Sequence, residues 1–127
     1  MSAHIRWKPE PDDHDYPAAR DFLELIVPAE VANTMAAAFR TAAPTTRTSK
    51  DLLRACGDAA LDGDNPHVAK DLHRIRAGEA LSPVLLVRGD ARSNRPLIIA
   101  DGFHRICAVH LVHENAEIHC RIIELPA

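Results

Sequence analysis

"IADGFHRICAVH", residues 99–110, is the stretch from which the rest of the chain is read. Apolar residues run up to Asp101-Gly102, and a helical pattern opens directly behind, with His104 and Arg105 in its first turn. A helix N-terminus presents unpaired N–H groups and a partial positive charge. Gly102 has no Cβ to keep a ligand off the backbone. Arg105 can grip a phosphate with two parallel hydrogen bonds, and His104 can donate or carry a proton. Strand, glycine turn and basic helix start therefore suit an anionic group, phosphate first. The same string also fits a plain strand-to-helix turn with a solvated His and Arg.

Upstream, "LDGDNPHVAKDLHRIRAGEAL" (61–81) reads as a helix with Asn65 as N-cap, Pro66 at its first position and Gly78 after its end. Val68, Leu72 and Ile75 form its apolar stripe. His67, Lys70 and Arg74 recur at i, i+3 and i+7, which puts them on one face beside that stripe. A second basic surface in one small chain makes a shared anion pocket the functional expectation. An ordinary solvated face, with Asp71 and His73 mixed in, is the plainer reading of the same residues.

"SPVLLVRG" (82–89) and "RPLIIA" (95–100) are short apolar runs bounded by Pro, Gly and Asn, and read as two strands joined by "DARSN". A helix over 103–113 and a strand over 116–125 follow; in the strand Ile118, Cys120 and Ile122 alternate with His119 and Arg121. Nearer the start, "DFLELIV" (21–27) reads as a strand and residues 28–42 as an Ala-rich helix with Val31, Met35, Ala38 and Phe39 on one stripe. "PTTRT" (44–48) reads as a loop, and 49–56 as a short helix capped by Ser49 and closed by Gly57. Residues 1–20, with Pro9, Pro11 and Pro17, read as an extended polar arm docked through Trp7 or Tyr16. Residues 21–127 then make a single domain.

The bulk numbers narrow the function classes. A chain of 127 residues, 46% hydrophobic and 26% charged, can bury a core of its own. A net charge of −3 argues against autonomous DNA binding, which leans on a basic surface. No apolar run approaches the roughly 20 residues of a membrane helix, and the first residues lack the apolar core of a signal peptide. Three cysteines, an odd count without a C-x-x-C pair, fit a reduced cytoplasmic protein. His104, Cys107, His110, His113, His119 and Cys120 raise zinc. Ligands at i, i+3, i+6 and i+9 drift by roughly 60° per step around a helix, so the set does not converge and no metal site is assigned.

With these elements in place, residues 65–123 resemble the ParB/sulfiredoxin-like domain. The matching parts are the Asn65-Pro66 helix start, "GEALSPVLLV", the strand and signature "LIIADGFHRICA", and the closing strand "AEIHCRII", in the family's order. The resemblance implies an α/β (α+β) fold, a small mixed β-sheet flanked by helices, with a nucleotide at the signature helix. It implies that Gly102, His104 and Arg105 hold phosphates of ATP or CTP. It implies that His67, Lys70 and Arg74 flank them. Where sulfiredoxin carries its catalytic Cys this chain has Phe103, so sulfinic acid reduction is not expected. Cys107 falls where the family has a buried Ala, and a buried Cys acts as a small hydrophobe. The sequence given stops four residues after Ile123, and no helix-turn-helix reader follows the signature within it.

A phosphotransferase or NTP hydrolase would also need an acid to hold Mg²⁺ or deprotonate an acceptor. Asp101 beside the signature is the first choice, ahead of Glu24 and Glu30, although bracing the turn is an equal role for it. The competing class is a non-catalytic interaction or regulatory module that keeps the fold, with its Pro-rich arm and Ala-rich helix serving a protein partner or a homodimer.

Overall fold

The computed structural model describes residues 4–127. The chain runs β1 (Arg6–Trp7), α1 (Asp15–Leu23), α2 (Ala29–Thr41), β2 (Pro44–Thr48), α3 (Ser49–Cys56), α4 (Pro66–Arg76), β3 (Ala80–Leu81), β4 (Val84–Val87), β5 (Ile98–Asp101), α5 (Phe103–Val112) and β6 (Glu117–Ile123). The expected mixed sheet flanked by helices is present. Its strand order is β2-β6-β4-β5, with β6 and β4 parallel and the outer pairs antiparallel. β1 and β3 form a separate two-stranded parallel ribbon.

β4 shows why the sheet needs cover on both sides. Its four residues "VLLV" are all buried. Val84 and Leu86 pack with α3, α4 and α5 through Leu52, Leu72 and Ile106. Leu85 and Val87 pack with α1 and α2 through Leu23, Met35 and Phe39. Successive side chains of a strand point to opposite faces, so an unbroken apolar run marks a central strand covered on both.

Helix caps account for much of the local agreement. Asn65 accepts hydrogen bonds from the N–H groups of His67 and Val68, with Pro66 at the first helical position, as the sequence indicates. The stripe of Val68, Leu72 and Ile75 is buried. In α3 the cap is one residue earlier than expected: Thr48 accepts from the N–H of Asp51. Ser49 is instead buried and donates its hydroxyl to the Glu114 carbonyl at 2.8 Å.

Three readings of the first half are corrected. Residues 21–27 are not a strand: α1 runs to Leu23, and the chain then turns through Leu25 N–H to Phe22 O and Ile26 N–H to Leu23 O. The decisive pattern is Tyr16, Ala19 and Leu23, a helical stripe buried toward α2. Pro17 sits in the first helical turn, where its missing N–H costs nothing. "PTTRT" is not a loop but β2, an edge strand paired along its whole length with β6, Thr46 opposite His119. Its β-branched threonines suit a strand, and Pro at its first residue is tolerated there.

The extended arm of residues 1–20 is the third correction, with residues 1–3 outside the described residues. Residues 15–20 are helical, and the segment before them is fastened to the domain. Lys8 N–H donates to Leu81 O, and the Trp7 ring stacks on His119 at 5.3 Å. Tyr16 is buried, with the Arg40 guanidinium 4.1 Å from its ring centre. Arg121, expected to alternate outward, is only 4% exposed. It donates to Ala42 O at 2.9 Å, to Pro9 O at 2.9 Å and to Glu10 Oε2 at 3.0 Å. A guanidinium under the chain supplies the donors that a strandless segment needs.

Candidate functional site

α4 and α5 lie side by side on one face of the sheet, and their adjacent ends enclose a cleft of about 210 Å³. Its lining contains the seven residues of the expected phosphate site: His67, Lys70 and Arg74 from α4, and Asp101, Gly102, His104 and Arg105 from the β5–α5 junction. The two basic surfaces, separated by about thirty residues, do meet. The His67 and His104 rings stand 4.8 Å apart. Asp71, buried and ion-paired to Arg74 at 3.3 Å, completes the wall. Three cations thus face two carboxylates, and the local excess is positive.

The first turn of α5 has no side-chain cap, unlike those of α3 and α4. Its N-terminal N–H groups and partial positive charge stand at the cleft where Gly102 lines it. The reason for glycine differs from the expected one. Gly102 has φ +105, and a Cβ there would lie 2.4 Å from Val84 Cγ1. Packing of the turn onto β4 therefore demands glycine whether or not a ligand approaches.

Arg105 also departs from the expectation. Its side chain is 13% exposed and turned inward. It donates to Ser82 O at 2.6 Å and Pro83 O at 3.3 Å, and pairs with Asp101 Oδ2 at 2.5 Å and Asp15 Oδ2 at 3.5 Å. A guanidinium holding two carbonyls and two carboxylates is a clamp between the β3–β4 link, β5 and α1. One edge of it still lines the cleft. Burial pushes the Asp101 carboxyl above its usual value; Arg105 opposes this and Asp15 adds to it. Asp101 is thus the partner of Arg105, and Asp71 that of Arg74.

His104 is half-buried, and its pKa lies below the ordinary 6.5, first through burial and then through the neighbouring His67. Near neutral pH it is a neutral imidazole, able to donate one hydrogen bond and accept another. The histidines that follow His104 in the chain are scattered. His110 Nδ1 meets Ser49 Oγ at 3.3 Å, His113 Nδ1 accepts from Asn115 N–H, and His119 lies under Trp7. All three cysteines are buried and unpaired. Burial raises their thiols, Cys120 to about 11, so none is a ready nucleophile.

A larger cavity of about 470 Å³ adjoins the cleft and shares Arg74 and Arg105 with it. Lys8, Asp12, His14, Asp15 and Ser82 line it, none of them singled out in the sequence. Asp15 is buried and accepts from Ser82 Oγ, and Asp12, salt-bridged to Lys8 at 2.7 Å, is held below the usual carboxylate range by that contact. The acidic "PDDHD" run was the available signal, but it fell inside the segment read as a peripheral arm.

Compared with known proteins, the chain matches no family model, no curated protein and no solved structure. Among the described residues no helix is long and apolar enough to cross a membrane.

Proposed function

We propose that the domain is a ParB/sulfiredoxin-like phosphate-binding module that takes a nucleotide at the α4–α5 cleft. The observation that carries this reading is the convergence of Lys70, Arg74, His67 and His104 on the uncapped first turn of α5. A cleft of about 210 Å³ accommodates phosphate groups rather than a whole nucleotide. Lys70 and Arg74 would neutralise the anion, the α5 amides would donate to its oxygens, and His104 would donate one further bond. The base and sugar then lie outside this cleft, along α4 or toward the adjoining cavity.

The geometry supports binding further than it supports phosphotransfer or hydrolysis. ATP or CTP with Mg²⁺ is the expected ligand from the resemblance, yet Asp101 and Asp71 are both engaged by arginines. The inward turn of Arg105 favours the second reading, a non-catalytic module for a protein partner that keeps the fold.

Calorimetric titration with ATP, CTP and GTP, with and without Mg²⁺, separates the two. Lys70 is exposed, so Lys70→Ala leaves folding intact. The expected result is nucleotide binding that this variant weakens by about tenfold, the loss of about 1.4 kcal/mol for one phosphate cation. No heat with any nucleotide at millimolar concentration would leave only the partner-binding module.

A further inference from the structure

A second groove, of about 640 Å³, lies apart from the α4–α5 cleft and shares none of its residues. Phe22 and Ile26 contribute one wall, and Leu97, Ile99, Phe103 and Leu125 contribute to the others. Leu97, Ile99 and Phe103 belong to the core on the α3–α5 side, and Leu125 to the core on the α1–α2 side. The groove therefore straddles β5, the edge strand of the sheet. Phe22 and Ile26 remain 41% and 51% exposed, an apolar surface left open to water.

Arg95 is the one cationic side chain in the lining of this groove. A guanidinium carries five N–H donors. Among the described residues Arg95 makes one side-chain hydrogen bond, to Arg88 O at 3.3 Å, and no ion pair. Its Nε is shut off from solvent without an acceptor. The other charged residue of the lining, Asp58, is exposed and makes no salt bridge to Arg95. An under-satisfied cation beside a long apolar surface is complementary to a molecule with one carboxylate and an apolar tail.

We propose that this groove binds a free medium-chain fatty acid. The alkyl chain lies along Phe22, Ile26, Leu97, Ile99 and Phe103, and the carboxylate meets the terminal nitrogens of Arg95. Burial of the chain supplies affinity, and the guanidinium selects the head group. Failure of this assignment leaves the phosphate cleft untouched, because the two sites share no residue.

The test is an amide-resolved NMR titration of the full chain with decanoate, decanol and decylammonium, each below its micelle concentration. Decanoate is expected to shift the amides of Ile26, Leu97 and Phe103 and to bind about tenfold more tightly than decanol. Arg95→Gln should make the two equal. Ile26→Glu, a change at an exposed position, should weaken decanoate by at least about tenfold without unfolding the chain. Equal affinity of the wild type for decanoate and decanol would overturn the assignment. So would shifts confined to the α4–α5 cleft, or none up to millimolar decanoate.

Discussion

The two walls of the α4–α5 cleft are both basic, yet they use their charges in opposite ways. On the α4 wall, His67 and Lys70 are exposed, and among the described residues neither side chain has a hydrogen-bond acceptor or an ion-pair partner. On the α5 wall, Arg105 is bound to Ser82 O, Pro83 O, Asp101 and Asp15. The α4 wall is available to a ligand, and the α5 wall is mostly committed to holding three elements together. A sequence motif marks where a charge sits but not what already neutralises it. Arg105 is a brace here, and the positive charge left open at the cleft is that of Lys70 and of the first turn of α5, with Arg74 shared with Asp71.

This division makes its largest prediction at Arg105. Arg105→Met should cost on the order of 3 kcal/mol in urea unfolding, because it leaves buried Asp15 and partly buried Asp101 without their cation. A variant as stable as the wild type but unable to bind phosphate would reverse the assignment of the two walls.

Gly102→Ala comes next. The substitution forces a Cβ into Val84 and a left-handed φ onto alanine, with an expected destabilisation of about 2–3 kcal/mol by thermal unfolding. If stability held and only ligand affinity fell, glycine would be serving the ligand rather than the packing.

The smallest effect sharpens the role of His104. Its folded pKa is below 6.5, so the unfolded chain takes up the proton more readily, and acidification below 6.5 lowers stability through this residue. An anion in the cleft favours the imidazolium and reverses that preference. Pyrophosphate affinity should therefore strengthen as pH falls from above 6.5 to below it. His104→Gln should flatten the part of the trend that comes from protein, and an unchanged slope would place His104 outside the site.

Legibility divides the chain in a similar way. From Asn65 to Ile123 the helices, their caps and the strands β4, β5 and β6 could be read from neighbours in sequence, whereas β3 (Ala80–Leu81) was missed because it exists only through its pairing with β1. Asn65-Pro66 starts a helix by local hydrogen bonding, and "VLLV" declares a strand buried on both faces. The first half resisted because its elements depend on distant partners. β2 is a strand only because β6, more than seventy residues later, pairs with it. The segment before α1 is ordered only because Leu81 and Arg121 reach it. Glu24 and Glu30, considered as bases, do not line the cleft.

By itself the sequence determined the mixed α/β character, the helix starting at Asn65-Pro66, the glycine turn at 102 and the basic side chains on one face of α4 and in the first turn of α5. Those follow from periodicity, capping and the short range of helix-face geometry. The tertiary structure alone decided that Arg105 turns inward and that Asp15, His14 and Ser82 form the adjoining cavity. It also placed Arg121 under the N-terminal segment. Burial and charge pairing are set by what the folded chain brings within hydrogen-bond reach, and no local pattern carries that information.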